Sequence, residues 1–328
     1  MKKEMFYMAV LLFCSACDKE ADYIAEERVP IMLGTTIEAA GAETRTQSTT
    51  ALQNTELANG QAVGVFIYNA GTKATQTTYG GYKNISYSVS GTAGDLTSST
   101  QPYYPANASQ TVDIYAFSPR EAYTATNADL SGLTAVTGYS VSTNQSSDDG
   151  YKASDFVWGT GNSSAAAVKS RSDKKVLVTL GHKMSRIIVR LTEGNGMSGR
   201  LAGATVKINN VVVATKINLT TGVVEAATGS TQSAVTLGSN ISVSSNMAPC
   251  IGVIPPQSIA ACGLITITLS DTYGNSVYTY TTTAASTFTA NNQYVYNITV
   301  HATGLQLTTS ISPWGDETTA GTGTAIFS

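Results

Sequence analysis

Four groups of residues have types that could carry chemistry: the cysteines Cys14, Cys17, Cys250 and Cys262, the histidines His182 and His301, the acids Asp148, Asp149 and Asp155, and the arginines Arg28 and Arg45. Two cysteines three apart are half of a tetrahedral zinc site. The second pair that such a knuckle needs is missing, because Cys250 and Cys262 lie far along the chain with no histidine near them. No metal is therefore expected. The stretch "SSDDGYKASDF" offers carboxylates to calcium through Asp148, Asp149 and Asp155, but without EF-hand spacing it reads as a solvated loop. Both histidines fall inside strand-like segments, away from any carboxylate cluster at ligand spacing, and read as packed or surface residues. Phosphate-cradling loops and nucleophile elbows are absent, and "GTGTAIF" near the end lacks the strand and helix of a dinucleotide fingerprint. Neither catalysis nor a cofactor is expected. The cysteines and arginines remain to be explained.

The N-terminal cysteines are explained by their flanks. Lys2 and Lys3 open the chain, and residues 5–13 form an apolar run too short to cross a ~30 Å hydrocarbon core as a helix, the pattern of an export signal. Ser15 and Ala16 directly before Cys17 resemble a bacterial lipobox, with Cys14 where leucine is usual. The signal, residues 1–16, would be cut before Cys17, whose thiol would then carry lipid. Each buried methylene of such acyl chains contributes ~0.8 kcal/mol, so outer-membrane lipid is the expected partner of Cys17.

The 328 residues are 42% hydrophobic, enough for real cores, while only 12% are charged and the net charge is −3. Nothing is built to grip phosphate backbones, so nucleic acid is not an expected partner. Richness in Thr and Tyr with few helix formers reads as an all-β extracellular protein. Cys250 and Cys262 flank "IGVIPPQSIAA" almost symmetrically. If that segment is a hairpin they can form a disulfide in an oxidising compartment, and if not they are two buried thiols; both readings stand.

Strands are expected from "VPIMLGTTIEAA" (29–40) onward, through "AVGVFIYNA", "GYKNISYSVSG", "QTVDIYAFSP" and "KKVLVTLGHKMSRIIVRLTEG" (174–194). In "VDIYAF" Val112, Ile114 and Ala116 point one way and Asp113, Tyr115 and Phe117 the other, which predicts a strand covered on both faces. The glycines of "GNGMSG" place a domain boundary there, giving β-sandwiches over 46–198 and 199–328. The second half repeats the style, and in "YVYNITVHA" Tyr294, Tyr296, Ile298 and Val300 alternate with Val295, Asn297, Thr299 and His301.

The order and spacing of "VGVFIYNAG", "YYPANASQTVDIYAFSP", "LGHKMSRIIVRLTEGNG", "LAGATVKINN", "NLTTG" and "NNQYVYNITVHATGLQLTTSISPWGD" resemble the fimbrillin family, subunits of type V pili on gut and oral anaerobes. The resemblance implies an all-β chain with two β-sandwich (transthyretin-like, Greek-key) domains in tandem. It also implies export as a lipoprotein and a fimbrium at the cell outer membrane, surface-exposed. Other fimbrial subunits would be its partners, joined by strand exchange after a trypsin-like, arginine-specific protease cuts the chain. The acidic run after Cys17 resembles the signal that sends lipoproteins of these bacteria to the outer face.

A cut after Arg28 would remove only the acidic spacer, whereas a cut after Arg45 would take residues 17–45, a lipidated propeptide with the first strand and its apolar Ile31, Leu33 and Ile37. Only the second opens a groove, so Arg45 is the expected site and Arg28 the alternative. The tail 317–328, ending in Ala325, Ile326 and Phe327, is the candidate donor, with a frayed terminus as its plain alternative. The competing function is a tethered glycan-binding lipoprotein that uses Tyr103, Tyr104 and Trp314 as sugar platforms.

Overall fold

The computed structural model describes residues 28–38, 56–71, 79–91, 94–122, 136–227, 229–242, 249–314 and 323–326, with side chains left out at 136–138 and 323–326. Cys17, Arg45 and Phe327 lie outside the described residues. Among the described residues the α-helices are two single turns, α1 (Asp148–Lys152) and α2 (Ala165–Lys169). The first strands are β1 (Met32–Ile37), β2 (Ala62–Asn69), β3 (Ile85–Ser90), β4 (Asp95–Thr97), β5 (Thr111–Ser118), β6 (Val136–Ser140), β7 (Val157–Ser164) and β8 (Lys175–His182). They are followed by β9 (Ser185–Glu193), β10 (Thr205–Val212), β11 (Ala214–Asn218), β12 (Val223–Ala226), β13 (Gln232–Gly238) and β14 (Cys250–Ile254). The rest are β15 (Gln257–Ile259), β16 (Gly263–Thr268), β17 (Val277–Thr281), β18 (Ser286–Phe288), β19 (Asn292–His301), β20 (Gly304–Pro313) and β21 (Gly323–Ile326).

The N-terminal unit is not the open sandwich expected. Its strands run β1-β4-β3-β2-β5-β7-β8 and close into a barrel, because β1 bonds to β8 on one side and β4 on the other. Side chains alternating inward along these strands fill the interior: Val63, Val65 and Ile67 from β2, Val112, Ile114 and Ala116 from β5, Val176, Val178 and Leu180 from β8. The C-terminal unit packs a five-stranded sheet, β14-β9-β19-β20-β21, and a four-stranded one, β13-β10-β16-β17, around Ile187, Val189, Val206, Ile208, Ile265, Ile267, Tyr296 and Ile298.

Between the units lies a second, aromatic-rich layer. The outward residues Phe66, Tyr68, Tyr115 and Phe117 of the barrel meet Ile188, Ile251, Val253 and Val295 of the five-stranded sheet and Ile217 and Val224 of a three-stranded sheet, β12-β11-β6. The two-faced burial predicted for β5 thus has a cause on each face. Burial, aided by the Asp113 charge, pushes the Tyr115 phenol up to about 12. Tyr139 in the same layer is raised well above 10.0, by burial first and then by Asp155 and Glu121. The unfolded chain releases these protons near 10.0 while the folded chain holds them. Stability should therefore be intact below pH about 10 and fall as pH rises toward 12, with Tyr115→Phe removing part of the slope; denaturant midpoints against pH, read beside phenolate absorbance, check this.

The expected boundary at 198/199 is crossed by the strands. The run 174–194 is two strands, since it breaks at Lys183–Met184: β8 closes the barrel while β9 runs parallel to β19 in the C-terminal sheet. Apolar residues continue across the break because Met184 is itself buried in the layer between the units. β6, from the N-terminal half, pairs with β11. The glycines of "GNGMSG" serve a turn within the C-terminal unit, where Gly196 and Gly199 adopt φ of 75° and 71°. "IGVIPPQSIAA" is likewise no hairpin: β14 pairs with β9 and β15 with β18, so the two prolines mark a crossing between sheets. Cys250 therefore opens β14 while Cys262 sits in the bend before β16, and no disulfide joins them.

Candidate functional site

The segment "IMLGTTI" alternates, and the barrel uses that alternation fully. Ile31, Leu33 and Ile37 are 1%, 2% and 5% exposed in the barrel core, and Thr35 between them is buried, while Met32 faces out. β1 lies parallel to β8 from Met32↔Lys175 to Ile37↔Leu180 and antiparallel to β4 at Leu33↔Leu96 and Gly34↔Asp95. Further backbone bonds extend its hold: Ile31 N–H to Pro102 O (2.8 Å), Tyr104 N–H to Val29 O (2.9 Å), Thr35 N–H to Gly94 O (2.8 Å) and Glu38 N–H to Leu180 O (2.8 Å). It is the one stave bonded to both free edges of the remaining sheet, so taking it out opens the ring between β8 and β4.

Two details make β1 fit. Gly94 adopts φ +65°, and a Cβ there would collide with the Thr35 carbonyl oxygen. Gly94→Ala should cost at least the ~1–2 kcal/mol of a left-handed backbone and pry β1 from β4, seen as a lower melting midpoint. On the outer face Lys175 and Asp95 form an ion pair that joins β8 to β4 across Gly34, the residue between them. An added Cβ at Gly34 would already touch Leu177 Cδ1 at 3.4 Å and Lys175 Cδ at 3.6 Å, so the strap crosses where the strand has no side chain.

Arg28, the alternative cleavage site, is exposed just before β1, its guanidinium 5.4 Å above the Tyr103 ring. At the other end of the chain β21, which carries Ala325 and Ile326, lies antiparallel on β20, Ala325 opposite Leu307 and Ile326 opposite Gln306. The tail backbone thus forms the edge strand of the C-terminal sheet. The opposite edge, β14, is covered by the side-chain amide of buried Gln145, which donates to Val253 O (2.8 Å) and accepts from Val253 N–H (2.7 Å).

A polar cluster that sequence reasoning missed joins residues far apart in the chain. Asp155 does not face a calcium loop; it is fully buried and its Oδ1 lies 3.0 Å from His182 Nδ1. His182 stacks on Trp314 with ring centroids 3.9 Å apart, and the buried guanidinium of Arg186 sits 5.6 Å from the same indole. An aspartate–histidine pair is half of a catalytic constellation, but His182 is 2% exposed and closed off by the indole, so no substrate can reach it. Trp314 and Tyr104 are themselves buried and Tyr103 is covered by Arg28, which removes the flat aromatic surface that sugar binding would use.

A family model described as fimbrillin-like matches residues 44–314. The chain belongs to the fimbrillin-like family. The match begins beside Arg45 and ends at Trp314, so β1 and the tail flank it. A Bacteroides uniformis protein assigned as fimbrium subunit Fim1C is 27% identical over 264 residues, 78% of each chain. Two solved structures share the fold of this fimbrillin-like chain, each described as a cell adhesion protein. One, from Bacteroides ovatus, has a TM-score of 0.64 at 19% identity, and the other, from Bacteroides uniformis, 0.60 at 21%; each covers 88% of this chain and 99% of its own.

Proposed function

We propose that this chain is a structural subunit of a cell-surface fimbrium that supports adhesion. In this reading it is exported to the outer membrane as a lipoprotein through Cys17 and cut after Arg45 by a trypsin-like, arginine-specific protease. It then joins other fimbrial subunits by strand exchange, with the tail 317–328 as donor. The single observation that carries the reading is the place of β1: it closes the barrel, yet it lies wholly N-terminal to Arg45. A cut after Arg28 would leave it in place. Its loss would uncover a groove flanked by Leu96 of β4 and by Val176, Val178 and Leu180 of β8 and leave the facing N–H and C=O groups of β8 without partners. Each buried aliphatic side chain withdrawn forfeits about 1.5–3 kcal/mol, and each polar backbone group left buried and unpaired costs about 1–3 kcal/mol. A neighbour's strand that restores ladder and core together is favoured accordingly, and a head-to-tail contact of this kind grows a filament.

The test is to treat purified precursor with a trypsin-like protease and follow the products by mass and by gel. The expected result is a cut after Arg45 followed by ladders that survive mild detergent. Precursor of unchanged length, or cut subunits that stay single, would overturn the proposal.

A further inference from the structure

The four-stranded sheet β13-β10-β16-β17 has two edges. Along β13 the chain lies back as cover, Thr236 N–H donating to Thr143 O (2.8 Å) and Thr236 O accepting from Gln145 N–H (2.9 Å). β17 has β16 on one side and, among the described residues, no partner strand on the other. Bonds at its two ends, Leu269 N–H to Ser276 O (2.9 Å) and Thr282 N–H to Cys262 O (2.9 Å), turn the even-numbered residues toward β16. Strand alternation then sends the N–H and C=O groups of Val277, Thr279 and Thr281 away from the sheet, and these three residues are exposed. Edges of this kind are normally guarded by charge or proline. Here residues 272–315 hold no Asp, Glu, Lys or Arg, and β17 itself reads Val-Tyr-Thr-Tyr-Thr, all strand formers. The stretch also reads nearly the same in both directions about Thr279, with tyrosines at 278 and 280, Val277 against Thr281 and Ser276 against Thr282.

We infer that β17 is an interface between two copies of this chain, which meet edge to edge and antiparallel about a two-fold axis at Thr279. Thr279 then faces its own counterpart, and Val277 of each copy faces Thr281 of the other. Every residue in these pairs carries outward groups, so each pair exchanges two N–H···O=C bonds and the two sheets run on as one. Tyr278 of one copy lies beside Tyr280 of the other on the half-buried face. A register shifted by one residue would set outward groups against groups already spent on β16. The contact goes beyond the fimbrial reading: it uses neither β1, Arg45 nor the tail, and it joins subunits side by side where that reading joins them end to end.

The test uses uncut precursor carrying Cys14→Ser, Cys17→Ser and Cys262→Ser, which leaves buried Cys250 as the only native thiol. Residues that face each other in a bonded pair sit about 5.5 Å apart at Cα, within the span of a disulfide. Thr279→Cys should therefore cross-link two copies under mild oxidation, whereas the Val277→Cys and Thr281→Cys chains should cross-link only when mixed with each other. No linked dimer from Thr279→Cys, or equal linkage by each single variant, would overturn the proposal. Without added cysteines, Thr279→Lys should weaken the dimer by about fivefold in sedimentation, the cost of like charges face to face, and mixing it with the Thr279→Glu chain should restore the dimer. Identical sedimentation of the unchanged chain, the variants and the mixture would overturn the proposal as well. Ladder formation after cleavage tests the fimbrial reading separately.

Discussion

Leu33→Ala should lower the stability of the precursor by about 2–5 kcal/mol and leave the assembled fibre unchanged. The first half follows from burial: Leu33 is 2% exposed at the centre of β1, paired with Val176 on one side and Leu96 on the other. Truncating it leaves a cavity that the closed ring has little freedom to collapse. The second half follows from the order of residues, since the proposed cut after Arg45 would discard position 33 before the proposed joint is made. Denaturant unfolding of precursor and of fibre, with and without the substitution, separates the two states. A fibre weakened as much as the precursor would mean that β1 stays in place. The substitution should also speed ladder formation, because it loosens what must leave.

Trp314→Ala should cost about 3–5 kcal/mol and loosen the two units from each other. The indole is 6% exposed at the end of β20, packed in the layer between barrel and C-terminal sheet, with its backbone N–H on Asn291 O (2.8 Å). One face carries the His182 ring, and the Arg186 guanidinium lies near. Removing it takes apolar cover from both while leaving both buried groups in place. Trp314→Phe should cost markedly less, since it keeps an aromatic ring on the histidine and the indole N–H has no protein acceptor to lose. The remaining tryptophan, Trp158, borders the same layer and reports the loosening by fluorescence during unfolding.

Local patterns were legible in the chain wherever one strand's own faces decide the outcome. The alternation of Val112, Ile114 and Ala116 with Tyr115 and Phe117 foretells burial on both faces of β5, and that of Tyr294, Tyr296, Ile298 and Val300 foretells the core face of β19. Patterns that depend on a distant partner were not. A strand-like run from 174 to 194 looks the same whether it is one long strand or two strands of different sheets, because Leu180 and Ile187 on either side of the break and Met184 at it are all buried. Two prolines signal a change of direction but not whether the chain turns back or crosses over, so the meeting of Cys250 and Cys262 stayed open until β14 and β15 were seen to pair elsewhere. The barrel closes through a parallel pairing of β1 with β8, a contact with no local signature. Asp155, His182, Arg186 and Trp314 came together for the same reason, through pairing that brings three separate stretches to one seam.

β6 leaves the barrel portion of the chain to hydrogen-bond with β11, and the chain then returns to complete the barrel through β7 and β8. A tug that parts the two units must strip this borrowed ladder as well as peel apart the aromatic layer. Under shear along a surface, each molecule of the proposed fibre should therefore bear load as one stiff link and not as two beads on a cord, so that extension under force would begin at the joints between molecules.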